Sequence, residues 1–443
     1  MCQPIYRLCV ATLLLPAMAV AQQVAPEAET FNAKLQATYI WQKKPAFNAS
    51  YSGANSLLPR AEKSYSFTST AYLGLRLAKD TELYFNPELV QGVPMSGLTG
   101  LGGLTNAELQ KTAGSKPVVY RARLFVRQTW GLGGEREAVA SDANQLAGLR
   151  DKDRVVLSVG NLAVSDIFDA NAYAHDPRTQ FMNWSFLTHG AYDFAADSRG
   201  YSMGAALEYY RGDWAVRIGR FMMPSESNGP ALDRALAQRY GDQLELEKSY
   251  TMAGQPGKAR LLLFRNKAVM GGFDDALAAA AGGVPTVAPI RKLRSKKGVG
   301  ISLEQSLTDN AGVFARLAKS DGASEAYAFA EIDRSLSFGA AIKGAGWGRA
   351  QDTLGLAYAQ NGLSSPHRAF LAAGGNGFFV GDGRLNYRPE SIVEGYYSIG
   401  LGKDSKFLQR SAISLGAQLI RNPAYNADRG PVRVFSVRLH TEF

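Results

Sequence analysis

The sequence predicts an all-β fold: a transmembrane antiparallel β-barrel of about 16 strands, with short periplasmic turns and long extracellular loops. Three observations predict it. From Phe31 to Phe443 the dominant pattern is period-two alternation, the mark of strands with two unlike faces. The alternating runs reach about 10 residues or more, whereas strands in soluble proteins average about 5 to 6. The polar face carries Arg and Glu at every level, and the apolar face carries aromatics near its ends, as lipid outside, water inside and interfacial aromatic girdles require. A soluble β-sandwich also alternates, but it needs neither the strand length nor the charged face.

Composition agrees. The chain has 443 residues, 46% hydrophobic and 20% charged, with 46 Gly, 20 Tyr and 21 Phe. Charged residues fall below the roughly 25% of soluble domains, which argues against a coiled coil or a disordered chain. No apolar run of about 18 residues exists outside the N-terminus, so no transmembrane helix is available. The N-terminus reads as a signal peptide over residues 1–21: Arg7, an apolar stretch Leu8–Ala19, and a cleavage motif Ala19-Val20-Ala21 before Gln22. Residues 22–443 are then a single barrel domain. Cys2 and Cys9 both lie in the leader, so the mature chain is expected to hold no thiol, disulfide or thiolate metal site. Loss of Arg7 lowers the net charge from +10 to +9.

The strands follow in order, starting near Phe31, Ser64, Thr81, Val118, Asp153, Arg199, Asp213, Asp242, Lys258, Lys297, Gly312, Ser324, Thr353, Asn386, Lys406 and Pro431. In Ser64–Ala78, Tyr65, Phe67, Leu73, Leu75 and Leu77 share one face, and Ser64, Ser66, Thr68, Thr70 and Arg76 the other. In Val119–Trp130 the phase places Tyr120, Ala122, Leu124 and Val126 outward and Arg121, Arg123, Phe125 and Arg127 inward. Ser324–Gly344 reads as one long strand, because no Gly, Pro or Asn interrupts Glu331–Arg334 and Ala328, Ala330, Ile332, Leu336 and Phe338 keep one phase. Arg334 interrupts that face and is expected at headgroup level. Short turns fall at Lys79-Asp80, Arg211-Gly212, Thr308–Asn310 and Gly402–Ser405, alternating with long loops such as Lys43–Lys63, Gly92–Pro117, Ser165–Ser198 and Leu363–Leu385. Gly131–Lys152 lies on the short-turn side and is expected to hold a small helix near Ala138–Leu149; Asp274–Ala281 reads as another.

No catalytic motif, phosphate loop or metal-ligand pattern is present, so neither an enzyme nor a cofactor or metal site is expected. The informative constellation is the set of charges placed inward by phase: Arg76, Glu88, Arg121, Arg123, Arg127, Arg217, Glu245, Glu247, Arg316 and Glu394, joined by Glu82, Glu208, Glu304, Arg388 and Glu390. Charges in a water-filled pore set which solutes pass. Facing Arg and Glu can replace part of the hydration of a sugar hydroxyl, which is both donor and acceptor. The competing reading is that such pairs brace the wall. The loop Ser165–Ser198 mixes Phe168, Tyr173, Phe181 and Trp184 with Asp166, Asp169, Asn171, His175, Asp176 and Arg178. A purely exposed loop has no need of those aromatics, so this one is expected to fold inward and narrow the channel.

The segments Tyr120–Phe125, Asn171–Arg178, Ala372–Phe378, Gly381-Asp382-Gly383 and Asn422–Pro431 resemble the carbohydrate-selective porin family of Gram-negative outer membranes (OprB-like). The likeness spans essentially the whole mature chain. It implies a sixteen-stranded barrel and passive diffusion of mono- or oligosaccharides past an eyelet of Arg and Glu, to which the basic ladder and Glu88 are carried over. The expected partners are sugar solutes, outer-membrane lipid and lipopolysaccharide, with no nucleic acid, and homo-oligomer formation is left open. The alternative is a general or anion-preferring porin, suggested by the net charge. A polysaccharide export channel or an outer-membrane hydrolase stand further off.

Overall fold

The computed structural model describes residues 27–111, 114–327, 331–402 and 410–443. The leader 1–21, the turn positions 403–405, the strand start at Lys406 and the positions Ala328 and Ala330 lie outside the described residues.

Period-two sequences pair into one sheet, and the sheet closes on itself. Its first quarter is β1 (Phe31–Lys44), β2 (Glu62–Ala78), β3 (Thr81–Val93) and β4 (Val118–Gly131). A two-stranded hairpin, β5 (Arg136–Val139) and β6 (Gly148–Asp151), follows. The wall continues with β7 (Arg154–Leu162), β8 (Ser202–Arg211), β9 (Trp214–Met222), β10 (Tyr240–Met252), β11 (Gln255–Met270) and β12 (Lys292–Thr308). It ends with β13 (Ala311–Ser320), β14 (Arg334–Gly344), β15 (Arg349–Gly362), β16 (Glu390–Gly400), β17 (Arg410–Arg421) and β18 (Val432–Glu442). Leaving out the β5–β6 hairpin, sixteen strands form the closed antiparallel barrel among the described residues, and β18 pairs with β1 through Val437 and Trp41. Closure removes every sheet edge, as a spanning β-structure requires. The outward face is apolar and exposed, as at Leu75, Leu263, Ile301, Phe338 and Leu415.

Three expectations are corrected. First, residues 324–327 and 331–333 are not strand: Ser324 makes an isolated bridge to Gly272, Ile332 is buried in the interior, and β14 begins at Arg334. Buried loop packing can preserve an apolar phase without a ladder, so alternation misled here. Second, the expected helix at Ala138–Leu149 is the β5–β6 hairpin, whose tip closes through Asp142 and Gln145. Third, Arg121 points away from the lumen. The ladder between β3 and β4 slips between Asn86 and Pro87, so that Asn86 pairs with Arg123 but Pro87 pairs with Arg121 and Glu88 with Tyr120. This bulge at Ala122 turns Tyr120 inward and Arg121 outward, since one extra residue reverses the phase of everything beyond it. Arg388 also departs from its expected place, lying exposed in the loop before β16.

The interior is filled rather than hollow. The long loops fold over and into the barrel, with helices α1 (Trp184–Leu187), α2 (Phe273–Ala280, matching the expected helix) and α3 (Ser365–Ala372). Phe273 of α2 stacks on His367 of α3 with ring centroids 4.3 Å apart. His367 Nδ1 lies 2.9 Å from Asp333, which also accepts from the Ser364 N–H. Burial pushes the Asp333 carboxyl up, but His367, Lys296 and the Ser364 N–H outweigh it and hold it at about 2. A carboxylate depressed in the fold stabilises it above the unfolded pKa of about 3.9 and loses that contribution as pH falls through its folded value. The neighbouring Glu331 is raised by burial, an effect confined to higher pH. Pepsin should therefore nick the cap around Asp333 and loop 363–389 increasingly as pH falls from about 4 to about 2, and Asp333→Asn should be nicked already at the upper end. Equal nicking of both proteins across the range would remove the Asp333 contribution.

Candidate functional site

The loop Ser165–Ser198 lies inside the barrel and is fixed to the wall on several sides. Arg316 of β13 is fully buried and donates to Asp169 Oδ1 (3.1 Å), Phe186 O (2.9 Å) and Ala174 O (2.7 Å). Glu394 of β16 accepts the N–H groups of Met182 (2.7 Å) and Asn183 (2.9 Å). Glu245 of β10 accepts the Asp169 N–H at 2.6 Å, and Glu304 of β12 the Ala172 N–H at 2.9 Å. Arg438 of β18 donates to the carbonyls of Pro177, Thr179 and Gln180. Loop backbone without a ladder of its own must find partners when buried, and these charged side chains supply them. Two inward glycines leave room for it: a Cβ at Gly312 would overlap the Tyr173 ring, and one at Gly300 the His189 ring. Asn171 caps the local turn by accepting from Tyr173 and Ala174 N–H and reaches Ser302.

The inward charges therefore fall into two groups. Arg217, Glu245 and Glu247 form, with Glu208, Arg260 and Glu304, a buried network along β8 to β12: Arg217 meets Glu208, Glu245 and Glu247 at 3.2, 2.8 and 3.3 Å, and Arg260 joins Glu247 to Glu304 at 2.7 and 3.0 Å. With Arg316 and Glu394 this group braces wall and loop. Glu88 is also buried, accepting from Thr70, Tyr120, Tyr201 and Arg178.

The second group borders open space inside the barrel, although Arg123, Arg178 and Glu108 are themselves largely buried. A cavity of about 260 Å³ is lined by Arg123, Asp166, His175, Asp176, Arg178 and Trp184, together with Tyr72, Glu108, Lys111, Arg199 and Tyr201. Arg123 grips Asp166 through two bonds of 2.6 Å and lies 5.1 Å from the Tyr201 ring centre. Arg178 bridges Glu108 (2.9 Å) and Glu88 (3.3 Å). Lys111 lies 3.4 Å from Glu108. Burial pushes the Asp166 carboxyl up, but the Arg123 guanidinium outweighs it and holds it below the usual range. Burial, helped by Arg316, pushes the His175 imidazole down. Through Ala143, Asn144, Asp166 and His175 the cavity meets a periplasmic vestibule of about 760 Å³ lined by Arg76, Glu82, Arg127, Glu208 and the β5–β6 hairpin. There Arg76 pairs with Glu82 at 3.2 Å, and Arg127 donates to Asn144 O at 2.9 Å and lies over Tyr84. Tyr173 borders a separate periplasmic cavity with Tyr250 and Lys258.

Sequence reasoning missed Glu108 and Lys111, which a 3-10 turn at Ala107–Lys111 carries into the barrel from loop 94–117. The signal was available: that loop holds Leu101, Leu104 and Leu109, all buried, which an outer loop would not need. Tyr120 and Tyr201, which pack together at 5.8 Å, were hidden by the bulge and by the strand boundary.

A family model described as carbohydrate-selective porin, OprB family, matches residues 62–443. No curated protein matches the chain by sequence. Among solved structures, the high-pH structure of Pseudomonas putida OprB is similar with a TM-score of 0.70 at 16% identity, covering 94% of each chain. Acinetobacter baumannii OccAB1 gives a TM-score of 0.49 at 9% identity, covering 94% of this chain and 97% of that one. Pseudomonas aeruginosa OccK2 (OpdF) gives 0.46 at 11%, covering 93% and 97%. With the family model matching from β2 to the last residue and a closed sixteen-stranded barrel to carry it, this chain belongs to the OprB family and is a carbohydrate porin of the Gram-negative outer membrane.

Proposed function

We propose that neutral sugars cross this porin through the cavity between Arg123 and Arg178, and that the inward loop 165–198 is the constriction that selects them. The observation carrying this reading is charge balance. Lys111, Arg123, Arg178 and Arg199 line the cavity together with Glu108, Asp166 and Asp176, and Glu88 is bonded to Arg178. Four cations meet four carboxylates, so the passage has strong local fields and no net charge. Such a wall offers paired donors and acceptors to hydroxyls and gives no general advantage to an anion. Tyr72, Tyr201 and Trp184 add aromatic surface to the same cavity for the C–H faces of a sugar ring.

The chain acts as a channel, with Arg76 and Arg127 lining the exit to the periplasm. Residues 1–21 serve as an export leader, and the mature chain begins at Gln22, which N-terminal sequencing of the outer-membrane protein checks. Function is tested by liposome swelling with glucose, a disaccharide and a zwitterion of glucose size. Glucose is expected to enter faster than the zwitterion. Entry ordered by size alone would make this a general diffusion pore, and a strong anion reversal potential with no sugar preference would favour the anion-selective alternative.

A further inference from the structure

The net charge of +10 is not concentrated in the lumen. At the extracellular ends of four adjacent strands, β11 to β14, basic side chains face away from the barrel. Arg265 and Lys267 are on β11, Lys297 on β12, Lys319 on β13 and Arg334 on β14. The ladder places them side by side: Arg265 pairs with Lys297, and Lys319 pairs with Arg334. Val299, which pairs with Lys319, lies two residues below Lys297 on the same face. Arg265, Lys297, Lys319 and Arg334 are all exposed. None of these five cations has a carboxylate within ion-pairing distance among the described residues. Two carboxylates border the row: Asp242, opposite Arg265 in the ladder, is taken up by Arg220 at 2.7 Å, and Asp321 accepts the Lys297 N–H at 2.8 Å.

Directly below the row, each strand turns apolar on the same outward face: Leu263 and Leu261, then Val299, Ile301 and Leu303, then Leu317, then Phe338, all well exposed. Adjacent like charges on neighbouring strands repel, so a row with this excess of cations over carboxylates is stable only against anions or open water. Adjacent strands lie about 4.8 Å apart, so the row spans about 15 Å. It sits where an apolar belt gives way to the extracellular loops, the depth of lipid headgroups in the outer leaflet.

We propose that this row is a docking site for the phosphates of a phosphorylated glycolipid, the lipid A portion of lipopolysaccharide, with its acyl chains lying along the apolar band beneath. The occupant follows from charge and depth together. Several cations without carboxylate partners match more than one phosphate on a single headgroup, and the continuous apolar surface below matches many acyl chains descending from it. A second copy of this chain would bring no compensating acidic face from the same arc. The proposal rests on placement in the outer membrane and is independent of the sugar path.

The test uses the detergent-purified full-length porin and titrates it with bisphosphorylated lipid A, with the same glycolipid after phosphate removal, and with phosphatidylglycerol, reading bound lipid by native mass spectrometry. Bisphosphorylated lipid A is expected to bind about tenfold or more tightly than either comparison lipid. Replacing Arg265, Lys297, Lys319 and Arg334 with Gln together should weaken it by about tenfold or more, leaving single-channel conductance and heat-modifiable gel mobility as in the unaltered protein. A Lys43→Gln/Lys63→Gln variant, on a distant part of the rim, should bind nearly as before. Equal affinity for the dephosphorylated lipid or for phosphatidylglycerol would overturn the proposal, and this comparison needs no variant to fold. Equal loss in the Lys43/Lys63 variant, or a change of oligomeric state without loss of lipid A, would overturn it as well.

Discussion

Replacing Arg316 by methionine is expected to open the pore. The side chain is 1% exposed and holds the inward loop 165–198 at Asp169, Ala174 and Phe186. Methionine keeps much of the volume but supplies no donor. Asp169 would remain buried as a charge without its guanidinium, and the loop carbonyls of Asp169, Ala174 and Phe186 would lose this donor. Removing one member of a buried ion pair costs about 3–5 kcal/mol. A loop pays that by leaving its dock more readily than a closed barrel pays it by unfolding, because the barrel ladders are untouched. Single-channel conductance in planar bilayers should therefore rise severalfold, and swelling assays should admit larger sugars in order of size. The barrel itself should keep its heat-modifiable mobility. Unchanged conductance would mean that Glu394, Glu304 and Arg438 suffice to hold the loop.

The second large effect separates two arginines two positions apart. Arg123→Ala should weaken sugar block of the ion current by about tenfold, since a charged hydrogen-bonding group contributes about 1.5–3 kcal/mol. It should also raise conductance, because the side chain and its bidentate hold on Asp166 both leave the cavity. Arg121→Ala should change neither, since the bulge turns Arg121 to the outer wall. Equal effects of the two would contradict the bulge. No effect of Arg123→Ala would place the sugar path elsewhere.

These two residues also show what alternation can and cannot reveal. Period two placed β2 and β18 on the correct faces throughout, because in an unbroken strand the phase propagates. It failed at Arg121 because a single extra residue, Ala122, reverses the phase, and nothing in Tyr-Arg-Ala-Arg distinguishes a bulge from a regular strand. It failed again at Ile332, which is buried by loop packing before β14 begins at Arg334. The aromatic content of loop 165–198 correctly signalled an inward fold, since Phe168, Phe181 and Trp184 are all buried.

The charges divide in the same way. Their inward placement was legible for Arg217, Glu245, Glu247, Arg316 and Glu394, but their work was not: they fasten the loop or the wall. Arg123, Asp166, Asp176 and Arg178 line the inner cavity instead. The sequence by itself determined the barrel, its strand number, the side on which the long loops emerge and the family. The barrel, its strand number and the loop side follow from local period, strand length and turn spacing, which each segment carries within itself, whereas the family follows from the resemblance of segments such as Asn171–Arg178 and Asn422–Pro431. The tertiary structure alone decided which charges line the inner cavity and which fasten the loop or the wall. That depends on where backbone from loops 94–117 and 165–198 comes to rest against distant strands, and a buried N–H or carbonyl recruits whichever charged side chain lies opposite it.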